Sequence, residues 1–164
     1  MRIQGKKFTY IQKQQRLPNG VVTRMEMIEH PGAALIVPFL SPNKIIFLRQ
    51  YRAVMKKVLY ELPAGTTSPG ESPLACARRE LPEETGYSAR KIKKAGFIYP
   101  VPGYSTEVIH IFMAEGLKPQ KAEKDFDEII QTVVLSRAQV RRLFRQGKIH
   151  DAKTICALAF CGLI

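Results

Sequence analysis

Three glutamates and an arginine lie close together near the middle of the sequence, where a glycine-rich loop leads into a short helix. These residues are Arg79, Glu80, Glu83 and Glu84, and Gly86 ends the helix. Glu80 and Glu84 are four residues apart, so they repel each other unless a cation lies between them. Arg79 can pair with Glu83, but this pairing leaves the other two carboxylates without a cation. Mg²⁺ takes oxygen ligands, often one or two carboxylates together with substrate phosphates, so the pattern indicates a metal site.

The loop before this helix and the glycine after it complete a longer spacing pattern. Its fixed positions are Gly65, Glu71, Arg79, Glu80, Glu83, Glu84 and Gly86, with apolar residues at Leu81 and Tyr87. In this pattern the sequence resembles the signature of the Nudix hydrolases. The resemblance implies an α/β fold of the Nudix type, which is an α/β/α sandwich with a mixed sheet and an N-terminal β-hairpin.

The resemblance also implies where the metal binds. It places two or three Mg²⁺ (or Mn²⁺) ions on Glu80 and Glu84, with Glu83 assisting and the backbone carbonyl of Ala64 as a further ligand. Pro82 stands at a variable position of the signature. A proline there removes a helix hydrogen bond, so we expect a kink that would shift the carboxylates after it.

Catalytic roles follow from the same resemblance. A glutamate on a loop beyond the signature helps to activate the attacking water in this branch of the family, and a loop carboxylate is chemically able to accept that proton. Glu128 is the better match to this position, and Glu107 is the second candidate. Within the signature, Arg79 would orient the carboxylates and Glu83 would assist them.

Further positions resemble the ADP-ribose and nucleoside-diphosphate-sugar pyrophosphatase branch. They are the segment 48–52, the segment 61–65 and the loop 100–104, in which Pro102 lies sixteen residues beyond Gly86. By this resemblance the substrate-binding residues are Arg52, Glu61, Glu26, Pro102, Gly103 and Tyr104. The guanidinium fork of Arg52 suits a phosphate or a carboxylate. On local grounds alone, a surface ion pair explains Arg52 equally well.

The implied activity is metal-dependent hydrolysis of the diphosphate bond of ADP-ribose or a related nucleoside diphosphate sugar, giving a nucleoside monophosphate and a sugar phosphate. Hydrolysis of GDP-mannose or another nucleotide sugar is the close alternative. An RNA-binding protein or an RNA 5′-end pyrophosphohydrolase on the same fold is a less favoured alternative. Members of this branch are usually homodimers in which the N-terminal hairpin crosses to the partner, so we expect a homodimer here.

Composition sets the surroundings in which this chemistry would take place. The 164 residues carry a formal net charge of +12, which suits anionic partners such as nucleotides and does not exclude nucleic acid. The sequence shows no signal peptide and no apolar run long enough for a bilayer, so we expect a cytoplasmic protein without a membrane partner. Cys76, Cys156 and Cys161 show no metal spacing, and their odd number indicates buried reduced thiols.

Strands interleaved with three helices are predicted to position these residues, which indicates an α/β domain. A hairpin is expected in residues 1–30, with its turn at 18–20, and the domain that carries the signature is expected in residues 31–164. The predicted strands span 8–15, 21–29, 33–40, 44–51, 58–62, 91–99, 107–114 and 129–135. Residues 116–127 are polar and are predicted to form a mobile loop.

Capping residues predict where the three helices begin. Ser72 is expected to cap the signature helix, while Ser136 and Asp151 are expected to cap two helices near the C-terminus. The spacing of apolar residues in the signature helix predicts that Leu74, Ala77 and Leu81 share a buried face.

Overall fold

The computed structural model describes residues 1–122 and 128–164 of the chain. Within these ranges the chain forms ten strands and three helices. In chain order they are β1 (Arg2–Gln4), β2 (Thr9–Arg16), β3 (Val22–Glu29), β4 (Ala33–Ser41), β5 (Lys44–Arg52), β6 (Lys57–Glu61), β7 (Ala64–Thr66), α1 (Pro73–Thr85), β8 (Tyr87–Ile98), β9 (Ile109–Pro119), β10 (Ile130–Ser136), α2 (Arg137–Arg145) and α3 (Ala152–Phe160).

Seven strands form one mixed sheet. Its main path runs β10-β5-β4-β9-β8, while β6 pairs with β5 and β7 pairs with β4. The pair β4 and β9 is parallel, and the other neighbours are antiparallel. Strand β4 therefore lies at the centre, as expected for the continuous apolar run that the sequence places there.

Helices cover both faces of this sheet, because alternate residues of β4 point to opposite sides. Leu35 and Val37 pack with Leu158 of α3, in a core that also includes Val140 of α2. On the other side, Ile36 and its neighbours pack with the apolar residues Cys76, Ala77 and Leu81 of α1. The fold is the α/β/α sandwich around a mixed sheet that the resemblance implied.

The N-terminal strands form a separate three-stranded sheet in the order β1-β2-β3. Most of its residues are exposed or half-buried. It connects to the main body through backbone hydrogen bonds between Ile28 and the loop after β8, namely from Ile28 N–H to Tyr104 O (2.7 Å) and from Thr106 N–H to Ile28 O (2.9 Å). The hairpin over residues 1–30 is as expected, and β1 is an additional strand.

Several element boundaries differ from the sequence prediction. Strand β8 begins at Tyr87, directly after α1, because Gly86 adopts a left-handed φ of 78° that turns the chain straight into the sheet. Strand β9 continues to Pro119 by backbone pairing with the start of β8, so the first part of the predicted mobile loop is wrong. The short strand β7 was not predicted. Residues 123–127 of that loop lie outside the described residues.

The helix caps agree with the sequence. Ser72 accepts from the Ala75 N–H, Ser136 forms a reciprocal capping box with Gln139, and Asp151 accepts from the Thr154 N–H. The predicted buried face of α1 is wrong at Leu74, which is 39% exposed because it lies in the first turn, beyond the reach of the sheet.

The cysteines agree with the sequence in part. All three are free thiols, but only Cys76 is fully buried, while Cys156 and Cys161 are partly exposed. Among the described residues, no helix is both long enough and apolar enough to cross a bilayer.

Candidate active site

Helix α1 and the strand β7 together hold the glutamates of the signature. The helix is continuous through Pro82 to Thr85. Glu80 and Glu84 are one turn apart on it, and both lie against the start of β7. The N–H of Ala64 donates to Glu84 Oε2 at 2.8 Å. The helix therefore presents its carboxylates to the strand that begins at Ala64.

Arg79 is the hub of a first charged cluster. Its Nη1 donates to Glu80 Oε1 (2.6 Å) and to Glu83 Oε2 (3.0 Å). Its Nε and Nη2 donate to the two oxygens of Glu71 at 3.0 and 3.1 Å. These hydrogen bonds from Arg79 lower the pKa of Glu71. The predicted pairing with Glu83 is confirmed, but Glu80 is also paired, so only Glu84 is left without an arginine donor.

Glu84 is the most perturbed of the signature carboxylates. Only 4% of the residue is exposed. Burial, together with the negative charges of Glu80 and Glu128, raises its pKa to about 8, against the hydrogen bond from Ala64. Burial also raises the pKa of Glu80, against the hydrogen bond from Arg79. Excess negative charge therefore accumulates where these three carboxylates approach one another.

Gly65 leaves room for the Glu80 carboxylate. A methyl group at this position would lie 1.8 Å from Glu80 Oε1 and 2.4 Å from Oε2. The carboxylate thus occupies the space that any other residue type would fill. The Glu80 carboxylate therefore lies directly against the backbone at Gly65.

A divalent cation fits the chemistry of this donor set. Glu80, Glu84 and Glu128 disfavour one another's charge, and a hard cation with oxygen ligands would relieve this repulsion. Among the residues that the structure describes, no three histidine, cysteine, aspartate or glutamate side chains already converge in a metal-binding geometry. In this arrangement Arg79 donates to an oxygen of Glu80, and the Ala64 N–H donates to an oxygen of Glu84.

A second charged cluster surrounds Glu61, at the end of β6. Arg52 donates to both of its oxygens, from Nε to Oε1 at 2.7 Å and from Nη2 to Oε2 at 2.6 Å. Lys153 Nζ also donates to Glu61 Oε2, and to Asp151 Oδ1 at 2.8 Å. Burial works to raise the pKa of Glu61, but the hydrogen bonds from Arg52 and Lys153 prevail and lower it.

This cluster shows how Arg52 is paired, whereas its contact with substrate stays a prediction. The guanidinium forms an ion pair, yet its partner is not a surface group, since Glu61 is 1% exposed. The side chain of Arg52 keeps 37% of its surface exposed. Glu61 therefore holds Arg52 in place, while the exposed part of Arg52 faces a cavity.

That cavity has a volume of about 520 Å³ and joins both clusters. Four cationic side chains line it, namely Lys7, Arg52, Arg79 and Lys153. Four carboxylates also line it, namely Glu80, Glu107, Glu128 and Asp151. Both candidates for the water-activating glutamate, Glu128 and Glu107, thus face the same space as Glu80.

Other predicted substrate-binding residues lie outside this cavity. Glu26 is on β3 and accepts from Gln12 Nε2 at 2.8 Å. Pro102, Gly103 and Tyr104 form an exposed turn, and Pro100 is the residue of this loop that lines the cavity. Whether the four residues contact substrate, directly or in a dimer, stays a prediction.

Three charged residues of the cavity were missed by sequence reasoning, namely Lys7, Asp151 and Lys153. Lys7 lies in the loop between β1 and β2, and nothing in the sequence marks it apart from its charge. Asp151 was identified only as a helix cap, although its carboxylate also accepts from Lys153. The proximity of Lys153 to Glu61, 92 residues away in the sequence, depends on how α3 packs.

Comparison with known proteins gives a consistent result. A family profile described as the NUDIX domain matches residues 29–158. The chain is 36% identical over 149 residues to an ADP-ribose pyrophosphatase of Bacillus subtilis, covering 90% of this chain and 80% of the relative. It is 33% identical over 148 residues to a GDP-mannose pyrophosphatase of Yersinia enterocolitica, covering 84% and 77%. A solved structure of an ADP compounds hydrolase superposes with a TM-score of 0.82 at 26% identity, covering 96% and 86%.

Proposed function

Because the chain belongs to the NUDIX family, we propose that it hydrolyses the diphosphate bond of ADP-ribose or a related nucleoside diphosphate sugar, giving a nucleoside monophosphate and a sugar phosphate. The observation that carries this proposal is the single cavity in which four cations and four carboxylates meet. The cations suit the anionic diphosphate, and the carboxylates suit the divalent ions that neutralise it.

We assign the carboxylates to two roles, namely binding the metal ions and accepting a proton from the attacking water. We infer that Glu80 and Glu84 hold Mg²⁺ (or Mn²⁺), two or three ions in all, with Glu83 and the Ala64 carbonyl as further ligands. A bound divalent ion supplies charge neutralisation at phosphorus and a more acidic water. Glu80 lies against Gly65 and Glu84 accepts from the Ala64 N–H, which supports a metal site beside these two backbone positions.

Glu128 is the proposed proton acceptor for the attacking water, with Glu107 as the second candidate. Both line the cavity that Glu80 lines. Glu107 also lies near a histidine, with 3.8 Å between its Oε1 and Nδ1 of His30. Glu128→Gln should slow turnover by about 10²-fold while sparing metal binding. An unchanged rate for Glu128→Gln, with a slow Glu107→Gln, would move the role to Glu107.

The four cationic side chains of the cavity differ in whether they already form ion pairs with carboxylates of the protein. Arg79 donates to three glutamates, Arg52 to Glu61, and Lys153 to Glu61 and Asp151. Lys7 forms no ion pair or hydrogen bond with the side chains that the structure describes. Its ammonium is therefore the cavity cation most available to a substrate phosphate.

A panel of nucleotide sugars tests which base and which sugar the enzyme prefers in its substrate. Purified protein with Mg²⁺ is incubated with ADP-ribose, ADP-glucose, GDP-mannose and UDP-glucose, and the products are identified. We expect AMP from ADP-ribose at the highest kcat/KM. GDP-mannose is the second candidate, because a GDP-mannose pyrophosphatase is 33% identical to the chain. Absence of a nucleoside monophosphate from all four would contradict the proposal.

We further propose a cytoplasmic homodimer in which the β1-β2-β3 sheet packs on the partner. The support is the small connection between this sheet and its own main body, together with its exposed apolar side chains, such as Ile3, Phe8 and Val22. Sedimentation equilibrium would give the mass. A monomer at micromolar concentration, with full activity, would exclude a role for the partner in the site.

A further inference from the structure

A run of basic residues lies within β8, the outer strand of the main sheet. Arg90, Lys91, Lys93 and Lys94 are all exposed. The only ion pair that the described residues give this stretch is a long one, 3.9 Å between Lys91 Nζ and Glu115 Oε2. The strand thus keeps most of its positive charge available, on a chain that already carries +12.

Exposed aromatic side chains continue directly from these lysines. Phe97 is 46% exposed and Tyr99 is 57% exposed. Their rings meet edge to face, with centroids 5.5 Å apart and planes at 84°. The ammonium of Lys94 lies 5.7 Å from the Phe97 centroid, and the His110 ring lies 6.3 Å from it on the adjacent strand. Hydrophobic rings of this size are costly to leave in water, and clustered exposure is typical of a binding surface.

We propose that this β8 surface, formed by Lys93, Lys94, Phe97 and Tyr99, binds single-stranded nucleic acid. Single strands are held by aromatic side chains on which bases stack and by cations that follow the phosphates. Lys94 and Phe97 lie together at the outer edge of the sheet, Lys93 borders the same edge from the opposite face, and Tyr99 follows directly after β8. Stacking reads no sequence, so the surface accepts any unpaired bases, in RNA or in DNA.

The combination of charge and rings favours this ligand over others. A duplex keeps its base faces stacked and offers the rings nothing to cover, so it would engage the lysines alone. A partner protein could pair with the free edge of β8, but lysines along an edge strand disfavour such pairing. The proposal concerns a surface separate from the side chains of the catalytic cavity and does not depend on the hydrolytic reaction.

The test is fluorescence anisotropy with labelled oligo(U) and oligo(dT) of about 12 nucleotides, a length within the known range of such sites. We expect both to bind with similar dissociation constants, and the same sequence in a duplex to bind more weakly. With about three phosphates neutralised, the logarithm of affinity should fall against the logarithm of salt concentration with a slope of about −2.

Two pairs of variants locate the site. Phe97→Ala should weaken binding roughly tenfold and Phe97→Trp should retain it, as expected for base stacking. Lys93→Gln with Lys94→Gln should weaken binding and flatten the salt slope. The matched control is Arg142→Gln with Arg145→Gln, which removes the same charge from exposed positions on α2 and should change affinity less than twofold. Thermal melting checks that each variant is folded.

Three results would overturn the proposal. Equal weakening by the two charge-removing pairs would show attraction by net charge alone. Displacement of the oligonucleotide by ADP-ribose would place it in the catalytic cavity. No oligonucleotide binding, together with a change of oligomeric mass in Phe97→Ala, would show that the rings meet another copy of the chain. Because none of these readouts requires turnover, they are independent of the proposed hydrolase activity.

Discussion

Two buried glutamates in this molecule have opposite electrostatic surroundings. Glu61 is 1% exposed and Glu84 is 4% exposed. Glu61 receives hydrogen bonds from Arg52 and Lys153, and its pKa is lowered despite burial. Glu84 receives a hydrogen bond from a backbone N–H, and its pKa is raised to about 8 by burial and nearby carboxylates.

The difference shows which buried carboxylate the protein neutralises with its own side chains and which it does not. Burial of a carboxylate is unfavourable unless a partner compensates it. The chain supplies that compensation at Glu61, which holds Arg52 at the cavity. Whether Glu61 also contacts substrate stays a prediction. At Glu84 the chain supplies a backbone N–H but no cationic hydrogen-bond donor. We infer that a divalent cation provides the missing positive charge there. A buried carboxylate without a cationic partner therefore indicates a binding site. A buried carboxylate with two cationic partners indicates a residue that holds other side chains in position.

The sharpest way to break this comparison is to replace each glutamate with glutamine. Glu84→Gln should fold normally and lose about three orders of magnitude in kcat, since it removes a metal-ligand charge. Glu61→Gln should instead lose about 3 kcal/mol of unfolding free energy, because two partly buried cations lose their buried partner. Steady-state kinetics and urea unfolding separate the two outcomes. If Glu84→Gln keeps near-normal turnover, the metal assignment is wrong.

The same contrast predicts a pH dependence in the presence of EDTA. Between pH 4.5, the ordinary pKa of a glutamate, and about 8, folded Glu84 keeps a proton that the unfolded chain has released. The folded state therefore loses stability as pH rises through this range. Glu61, with its lowered pKa, contributes the opposite sign at lower pH.

Urea unfolding of wild-type protein and Glu84→Gln at several pH values measures this dependence. The variant should be the more stable of the two at pH 8 in EDTA, while the two should converge near pH 5. Parallel curves for the two proteins would show that Glu84 is not the titrating group.

The support around Glu61 can be weakened without removing it. Lys153→Met should lower the unfolding free energy by about 2 kcal/mol, less than Glu61→Gln, because Arg52 still neutralises the carboxylate. Lys148→Met is the control, since Lys148 is fully exposed and should change stability little. Equal effects of the two substitutions would show that the buried pair adds nothing.

The smallest expected effect concerns Lys7, the cavity cation for which the described part of the chain supplies no ion pair. Lys7→Gln should raise KM for ADP-ribose by about tenfold with kcat nearly unchanged, since a charge-assisted contact present throughout the reaction affects binding alone. Lys7→Arg should restore most of the affinity. Lys13→Gln, on the exposed part of β2, is the control. A fall in kcat without a change in KM would instead assign Lys7 to the transition state.

Local sequence was sufficient to predict the signature helix and its neighbours. The caps Ser72, Ser136 and Asp151 each bond within three residues, so the sequence contains their partners. The apolar run of β4 likewise predicted the central strand. The family pattern then predicted that Glu80, Glu84 and Glu128 belong to one site.

What the sequence could not show depends on contacts between distant segments. On local grounds the sequence leaves Arg52 open between an anion contact and a surface ion pair, because nothing nearby shows that Glu61 is buried and also held by Lys153. Lys7 reaches the cavity only through the fold of β1, a strand too short and polar to predict. Strand β9 extends past its apolar stretch because backbone pairing with β8 requires no particular side chains.

The absence of a side chain at Gly65 has a practical use. Its φ is not in the left-handed region, so alanine is compatible with the backbone, and the added methyl group would displace the Glu80 carboxylate that now occupies this space. Gly65→Ala would then make an inert trap: a protein that keeps Lys7 and Arg52 in place, captures its nucleotide intact and releases it unchanged. Such a trap would allow the natural ligand to be recovered from cell extract and identified by mass.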